Sequence, residues 1–438
     1  MMLFWFRRDL RLEDNHGLVR ALELGEPVQP IFIFDQNILN KLSSPKDARV
    51  TFIHGQLLLL QQQLQEWGAD LWVFYGNPLE IHRDLLNRFS DLSGLVANRD
   101  YEPYGMERDR EIYECYLERG LTYTGVKDQV VFDRNEVVKD DGTPYTVFTP
   151  YSRKWRLRWE QHPELPARRV GPQDLWNRSS RNQNPVPSLE SMGFEASDLP
   201  FPASTLQPDI IKKYHEDRNH PDLPSTSRLG LHLRFGTLGI RTLLHAAHPL
   251  SHTFVTELIW RDFYQSILYH FPQSAHQAIK PAYDRIEWER NEEHFARWCT
   301  GTTGYPLVDA NMRALATTGW INFRMRAMLV SFLTHHLDID WRLGVYHLAQ
   351  YFLDYEPGIH YTQFQMQAGT TGANTVSVYN PVKNGLEHDG EGEFVRKWVP
   401  EIAGLPNHLI HQPRTMTEME RVLYGVTLGE DYPMPVVA

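Results

Sequence analysis

Short apolar runs alternate with amphipathic stretches over the first 130 residues of the chain. The apolar runs have the length and composition of buried strands. They cover residues 3–6, 30–34, 71–75, 95–98 and 122–126. Between them, apolar positions three and four residues apart predict helices near 47–66, 78–90 and 105–119. This alternation is typical of a doubly wound parallel sheet in an α/β domain.

Ligands of such a sheet bind beyond the carboxyl ends of its strands, so Asp35, Gly76 and Asn98 stand where a small molecule would dock. No Gly-x-Gly-x-x-Gly or Walker-type loop follows any of the predicted strands. The sequence therefore lacks the main signature of an NAD or nucleoside triphosphate site.

A proline-rich segment separates this pattern from the rest of the chain. Residues 163–202 contain seven of the 28 prolines, with Ser and Asn between them, which predicts a long surface connector. Just before it, residues 153–159 carry four cations and two tryptophans. We interpret this stretch as a solvated helix face whose tryptophans pack inward; a phosphate-contacting patch is the alternative.

From residue 206 onward the apolar spacing is helical to the end of the sequence, with no internal repeat. The clearest predicted helices cover 254–270, 307–316, 325–337 and 343–353. We therefore predict an α/β domain at 1–130, a linker at 131–205 and an all-helical domain at 206–438.

Composition and charge narrow the function classes. Hydrophobic residues make up 42% and charged residues 23% of the chain, as in a globular protein. The net charge of -11 argues against indiscriminate coating of nucleic acid but allows a local basic patch. Two cysteines, Cys115 and Cys299, exclude a disulfide scaffold, a four-thiolate zinc site and a four-cysteine iron–sulfur cluster. The 12 Trp, 20 Tyr and 21 Phe can form a core or stack a flat cofactor or base.

Targeting and membrane signals are missing from the sequence. Arg7, Arg8 and Asp9 interrupt the first apolar run, and no run reaches the ~20 apolar residues that span a bilayer. We therefore expect a cytoplasmic protein that does not enter a membrane.

Three further segments carry candidate binding residues. Thr226, Ser227 and Arg228 predict the start of a helix that binds an anion, or an ordinary helix cap. Glu257 and Trp260 lie three residues apart and share a helix face, which would present an acid and a flat ring to one ligand. A surface ion pair between Glu257 and Arg261 over a core tryptophan is an equally weighted alternative.

Arg324 and Arg326 interrupt an otherwise apolar helix, and buried arginines require partners. Asp354 and Glu356 are the natural candidates. Spacing alone favours a structural salt bridge, and a polar clamp around the heterocycle and ribose of a cofactor is the alternative.

Seven segments carry a family resemblance. They are FWFRRDLRLEDN at 4–15, TSRL at 226–229, ELIWRDFY at 257–264, TGYPLVDANMRAL at 303–315, IDWR at 339–342, NPVKNG at 380–385 and EGEFVRKWVPE at 391–401. In order and spacing they resemble the photolyase/cryptochrome flavoproteins over essentially the whole chain. The resemblance implies an α/β antenna domain followed by a helical FAD domain, in agreement with the division predicted above.

The resemblance also implies roles for the candidate residues. Those expected to bind FAD are Tyr214, Thr226, Ser227, Arg228, Leu229, Arg261, Arg324, Arg326, Asp354 and Glu356. Glu257 and Trp260 match the residues that hydrogen-bond and stack a pyrimidine dimer flipped out of UV-damaged DNA. Trp288 and Trp341 match the outer members of a tryptophan electron-transfer chain. The implied reaction is electron donation from photoexcited, fully reduced FAD to the dimer, which splits and returns the electron.

Three positions near the expected lesion site depart from the well-known repair branches. Phe323 and Ala327 stand where class I enzymes have Asn and Met, and where (6-4) enzymes have two histidines. Met366 replaces a second lesion-stacking tryptophan. Phe323 and Met366 are therefore expected to face the DNA, with contacts different from those of either branch.

Two positions near the expected flavin also differ. His360 occupies the place of the Asn that faces flavin N5, where it is either a proton donor or a neutral hydrogen-bonding ring. Phe364 replaces the flavin-proximal tryptophan. Because phenylalanine is a poor hole carrier, photoreduction must use another ring, such as Tyr346 or Tyr361, or proceed slowly.

These features predict a divergent photolyase-like protein without a metal, since Cys115 and Cys299 cannot supply the cluster ligands of the iron–sulfur branch. The leading hypothesis is a monomeric, blue-light-driven DNA photolyase that acts on UV-damaged DNA. The alternative is a cryptochrome-type photoreceptor without repair activity, which the altered flavin-facing residues favour. A light-independent flavin-containing DNA-binding protein is a third, weaker hypothesis. A folate or deazaflavin antenna stays unassigned, because residues 99–104 do not match the folate pattern cleanly.

Overall fold

The computed structural model describes residues 1–178, 184–372 and 377–437. Its N-terminal part contains a five-stranded parallel sheet with strand order β3-β2-β1-β4-β5. The strands are β1 Met2–Phe6, β2 Val28–Asp35, β3 Trp72–Gly76, β4 Gly94–Asn98 and β5 Thr122–Val126. All five predicted strands are found. Every residue of β1, β2 and β4 is buried, as expected for a parallel sheet covered on both faces.

Helices connect the strands. They are α1 His16–Leu22, α2 Gln36–Leu39, α3 Ala48–Glu66, α4 Pro78–Arg88 and α5 Pro103–Leu117. The carboxylate of Asp47 and the side-chain oxygen of Asn77 cap α3 and α4, and Pro103 opens α5 at a position where its missing N–H costs nothing. The predicted doubly wound α/β fold is confirmed.

Helix α6, Phe148–Gln161, contains the predicted basic stretch. Trp155 and Trp159 are buried at 1% and 9% exposure, whereas Lys154 and Arg158 reach acidic side chains at its surface. The inward-packing tryptophans are therefore confirmed. The proline-rich connector that follows lies partly along β2, since the Val28 amide donates to the Leu175 carbonyl at 2.9 Å. Residues 179–183 of the connector lie outside the described residues.

The described chain after this connector is helical. Its helices are α7 Pro208–Asp217, α8 Gly230–Phe235, α9 Ile240–Ala247, α10 His252–His270, α11 Glu292–Thr300, α12 Pro306–Thr318, α13 Phe323–Ser331, α14 Trp341–Ala349, α15 Pro357–Ala368, α16 Pro381–His388, α17 Glu393–Trp398, α18 Asn407–Ile410 and α19 Glu418–Tyr424.

One predicted helix differs in form. The helix predicted at 325–337 ends as α13 at Ser331 and continues as one π-helical turn, Phe332–His336. Within this turn the Thr334 hydroxyl donates to the Val330 carbonyl at 2.9 Å, a side-chain bond that competes with the regular backbone pattern.

Contacts divide the chain into two compact units. The first comprises Met1–Leu206 and Arg228–Pro272, and the second comprises Gln207–Ser227 and Gln273–Ala438. Helix α10 thus belongs to the first unit and helices α11 to α19 to the second. The continuous domain boundaries predicted from the sequence stay a prediction. Across the described ranges, no helix combines the length and the apolar character that a membrane crossing needs.

Candidate functional site

Helix α10 carries the predicted acid and indole of the first unit. The Ser251 hydroxyl caps its N-terminus by accepting from the Phe254 amide at 3.3 Å. Glu257 and Trp260 are both half-buried and lie one turn apart. Arg261 is only 6% exposed and donates to the backbone carbonyls of Gln129 and Leu233. The helix therefore keeps Arg261 inside the unit and Trp260 at its edge.

Aromatic rings surround the indole of Trp260. The ring of Phe148, the first residue of α6, lies parallel to it, with centroids 3.5 Å apart and an interplanar angle of 5°. Tyr264 stacks at 5.1 Å and 30°, and Phe263 meets the indole edge-on at 5.7 Å. Sequence reasoning missed Phe148, because no local spacing connects it to α10.

A buried carboxylate also anchors α10. Asp262 is 1% exposed and accepts hydrogen bonds from the amides of Val131 and Phe132 and from Nε1 of Trp155. Burial raises the pKa of the Asp262 carboxyl, and these hydrogen bonds oppose that rise. Asp262 thus joins α10 to α6 and to the chain that follows β5. Sequence reasoning did not identify Asp262 either.

The predicted diphosphate segment has a different local structure from the one expected. Helix α8 begins at Gly230, and Arg228 has a φ of 52°, in the left-handed region. A left-handed residue interrupts the right-handed dihedrals that a helix requires, so the prediction that a helix begins at 226–228 is wrong. Contacts group Thr226 and Ser227 with the second unit, and Arg228 and Leu229 with the first.

In the second unit, α13 holds the two predicted arginines. Arg326 Nη2 donates to both carboxylate oxygens of Asp354, at 3.1 and 2.9 Å, and its guanidinium lies 4.0 Å from the centroid of the Phe352 ring. The predicted salt bridge is therefore confirmed for this pair. Arg324 Nη1 donates to the hydroxyl of Tyr379 at 2.9 Å, a partner that sequence reasoning did not identify.

Phe323, which is expected to face the DNA, and Tyr214, which is expected to bind FAD, both contact the guanidinium of Arg218. Phe323 and Met366 are half-buried, on α13 and α15. The guanidinium of Arg218 lies 5.1 Å from the ring centroid of Phe323 and 5.7 Å from that of Tyr214, which is buried on α7. The two predicted rings are thus bridged by a cation–π partner.

Helix α15 carries the predicted flavin-facing side chains. Glu356 precedes its first turn and is 4% exposed. His360 is 7% exposed, and its Nε2 lies 2.8 Å from the carbonyl oxygen of Val345. Because a carbonyl only accepts, Nε2 must carry the hydrogen, and in the neutral ring Nδ1 is left as an acceptor. The backbone of α14 therefore fixes the tautomer of His360.

The predicted electron-transfer residues also lie in the second unit. Trp341 is fully buried on α14, and Trp288 is half-buried. Phe364 is 3% exposed, with its ring 4.8 Å from that of His360. The position that lacks a tryptophan is thus an interior one, in contact with the imidazole expected to face the flavin.

Tyr346 and Tyr361 both approach one histidine. The Tyr346 hydroxyl lies 3.0 Å from Nδ1 of His276, whose ring centroid is 6.4 Å from that of Tyr361. The Tyr361 hydroxyl in turn accepts from the hydroxyl of Tyr355 at 3.1 Å. Tyrosines are therefore grouped beside the interior that contains Phe364.

The carboxyl edge of the sheet is occupied by side chains that bind one another. Asp35 accepts from the Tyr104 hydroxyl at 2.7 Å, and Asn98 donates to Asp9 at 2.6 Å. Arg108 lies 3.6 Å from Asp35 in the same buried network. Two of the three residues expected to dock a small molecule, Asp35 and Asn98, thus have protein partners, and no antenna chromophore is assigned to this edge.

The donor set of the second unit fits FAD. The set consists of the half-buried guanidiniums of Arg324 and Arg326, the carboxylates of Asp354 and Glu356 and the imidazole of His360. These groups suit the carbonyl, ribose and ring nitrogen atoms of the cofactor. The Thr362 hydroxyl on α15 is buried and has no hydrogen-bond partner within residues 1–178, 184–372 and 377–437. In the same ranges, no three His, Cys, Asp or Glu side chains are grouped as a metal site would require.

Comparisons with known proteins cover the whole chain. Residues 2–169 match the family model of DNA photolyase, and residues 254–438 match that of the FAD binding domain of DNA photolyase. A deoxyribodipyrimidine photo-lyase of Agrobacterium fabrum is 32% identical over 459 residues, which cover 100% of this chain and 94% of that protein.

Two solved structures are similar in fold and sequence. A bacterial class III photolyase from Agrobacterium tumefaciens superposes with a TM-score of 0.87 at 29% identity, covering 100% of this chain and 94% of the other. An archaeal photolyase from Sulfolobus tokodaii with two FAD molecules gives a TM-score of 0.81 at 30% identity, covering 100% and 96%. With its α/β sheet, its helical FAD-binding region and these full-length relatives, the chain belongs to the DNA photolyase family.

Proposed function

We propose that this protein is a DNA photolyase that uses FAD and blue light to split UV-induced pyrimidine dimers. The observation that carries the proposal is the pairing of Glu257 and Trp260 on a half-buried stretch of α10. An acid and an indole one turn apart suit the edge and the face of a flipped base. A pure photoreceptor has less need of both groups. Relatives named deoxyribodipyrimidine photo-lyase support the same activity.

FAD, when bound, supplies the electron that light-driven dimer cleavage requires. Arg324 and Arg326 would hold it from α13, with Asp354 and Glu356 preceding α15. Both oxygens of Asp354 accept from Nη2 of Arg326, and Nε of the same guanidinium donates to the Ile321 carbonyl at 3.0 Å, so two contacts restrict its plane. His360 would accept a hydrogen bond at Nδ1, since its Nε2 hydrogen is used by Val345. Both roles predicted for His360, the neutral hydrogen-bonding ring and the proton donor, would use Nδ1.

The expected partner is UV-damaged DNA with its dimer flipped out of the stack. Glu257 would hydrogen-bond the lesion and Trp260 would stack on it. Phe323 and Met366 would contact the DNA around it. A monomer in the cytoplasm is part of the same proposal.

A cryptochrome-type photoreceptor is the second candidate function. It is favoured by Phe364, which interrupts the expected electron-transfer chain, and by the replacement of the repair-branch residues at Phe323, Ala327 and Met366. In that case light would change the flavin spectrum and partner binding, with no change in DNA lesions.

A paired repair assay separates the two candidates. Oligonucleotides with one cyclobutane dimer or one (6-4) photoproduct would be incubated with fully reduced protein in the dark and under blue light. We expect loss of one lesion type only under light, and a loss of activity of about tenfold or more in Glu257→Gln and Trp260→Ala. Leu117→Ala, at a 57% exposed position on α5, is the matched control and should be unaffected. Absence of repair of both lesions would refute the photolyase proposal.

A further inference from the structure

The strongest unexplained feature of the first unit is the parallel stack of Phe148 on Trp260. Aromatic pairs prefer offset or edge-to-face arrangements with centroids roughly 4.5–7 Å apart. Here the centroids are 3.5 Å apart at 5°, closer and more eclipsed than the rings themselves favour. The packing of α6 against α10 must therefore set this geometry.

Several contacts fix α6 to α10. The Trp155 indole donates to Asp262, and Arg156 Nη2 donates to the Thr256 hydroxyl at 2.7 Å. Phe148 itself also meets the ring of Phe263 edge-on, at 5.8 Å. Phe148 is thus the first residue of a helix that is packed against α10.

We propose that Phe148 is a positioning residue for Trp260, holding one face of the indole so that the ring is oriented before a lesion base stacks on it. This inference rests on the proposed function, in which Trp260 stacks the flipped dimer. An unsupported, half-exposed indole would have to be immobilised on binding, which lowers affinity. A ring held in place by Phe148 has already lost that freedom on folding.

In the opposite role, the ring of Phe148 would occupy the place on Trp260 where the lesion base stacks. If Phe148 filled the place of the base, the DNA-free stack would have to open before binding, and removing the ring would strengthen lesion binding. The contacts of α6 with Asp262, Thr256 and Phe263 favour the positioning role, because they hold Phe148 in place.

A double-mutant cycle tests the inference. The FAD-loaded full chain would be prepared as wild type, Phe148→Leu, Phe148→Tyr, Trp260→Ala and the Phe148→Leu/Trp260→Ala double variant. The dissociation constant would be measured in the dark for a dimer-containing oligonucleotide and for its undamaged counterpart. We expect Phe148→Leu to weaken lesion binding roughly two- to tenfold, the size of an aromatic pair contribution, and to leave undamaged DNA binding unchanged.

The remaining variants show whether Phe148 acts through Trp260. Phe148→Tyr, which keeps the ring, should bind the lesion like wild type, and Phe148→Leu should have no further effect in the Trp260→Ala background. Tighter lesion binding by Phe148→Leu, or an equal loss in both backgrounds, would overturn the inference. If Trp260→Ala alone leaves lesion binding unchanged, the stacking role of Trp260 in the proposed function fails, and the inference fails with it. Thermal unfolding and flavin absorbance of each variant identify folding defects, which Phe148→Tyr is expected to avoid.

Discussion

The indole Nε1 of Trp155 donates a hydrogen bond of 2.9 Å to the buried carboxylate of Asp262. The same carboxylate accepts from the amides of Val131 and Phe132, so three segments distant in sequence meet at one side chain. This junction holds α10, with Glu257 and Trp260, against α6.

Removing the Asp262 carboxylate is expected to destabilise the protein strongly. Asp262→Ala leaves buried N–H donors without an acceptor, which we expect to lower the free energy of unfolding by about 3 kcal/mol or more. Asp262→Asn keeps one acceptor oxygen and should cost less. Denaturant titration followed by circular dichroism measures both. Asp140→Ala is the control, because Asp140 pairs with Lys154 of α6 from a 96% exposed position and should change stability little. Equal effects of Asp262→Ala and Asp140→Ala would contradict the role of this junction.

Asp389 should give the second unit a distinct pH dependence. Its carboxylate accepts from the amides of Phe394 and Val395 at the start of α17, and burial raises its pKa from 3.8 to about 6. A folded-state pKa above the unfolded one means that protonated Asp389 favours folding. Its contribution is therefore fully present below about pH 4 and is lost as the pH rises through about 6. The loss is at most about 3 kcal/mol.

Comparison with a neutral variant isolates this group. The free energy of unfolding of wild type, minus that of Asp389→Asn, should fall between pH 4 and pH 7 and stay constant above that range. A difference that rises with pH would show that the α17 amides lower the pKa more than burial raises it.

The Arg326–Asp354 pair should determine FAD retention. Asp354→Asn removes one of the two oxygens that orient the Arg326 guanidinium, and Arg326→Lys removes the guanidinium itself. We expect FAD affinity to fall about tenfold or more, the usual size for a hydrogen bond to a charged group. Equilibrium dialysis with flavin fluorescence measures the change. Glu401→Gln, which breaks the Arg313–Glu401 pair of 2.7 Å in the same unit, should retain FAD normally. Normal FAD affinity in both pair variants would remove these residues from the site.

Phe364 is expected to limit photoreduction. Phe364→Trp restores an oxidisable ring beside His360 and should speed reduction of bound oxidised FAD under blue light with an external reductant. Since Phe364 is 3% exposed, the larger ring should also cost about 1–3 kcal/mol of stability. Flavin absorbance during illumination and denaturant titration measure the two effects. Phe364→Leu is the control for altered packing without an oxidisable ring. An unchanged photoreduction rate in Phe364→Trp would show that the protein reduces its flavin without this position.

The spacing of apolar and charged residues along the chain predicted the strands, the inward-facing tryptophans and one buried ion pair. The five strands and the inward-facing Trp155 and Trp159 follow from apolar periodicity, and the Arg326–Asp354 pair follows from the need of a buried cation for a partner. The predicted start of α8 was wrong because Arg228 has a left-handed backbone conformation. The sequence signals this conformation at a glycine but not at an arginine.

Contacts between distant segments could not be predicted in this way. Trp155 and Asp262 are 107 positions apart, and the carbonyl that fixes His360 belongs to the backbone of Val345, whose identity carries no information about it. Phe148 is one of 21 phenylalanines, and only the packing of α6 on α10 distinguishes it. Family resemblance named Glu257 and Trp260 but none of the residues that hold them.

The match to the FAD binding domain begins at Phe254, near the start of α10, whereas α10 packs with α6 in the first unit. A chimera that exchanged FAD domains between relatives at this residue would keep all but the first two residues of α10 yet supply it with a foreign α6. Trp260 would then face whatever side chain the other parent has in place of Phe148, and Asp262 would meet whatever side chain that parent has in place of Trp155. Recombination within this family should therefore succeed more often when α6 and α10 come from the same parent.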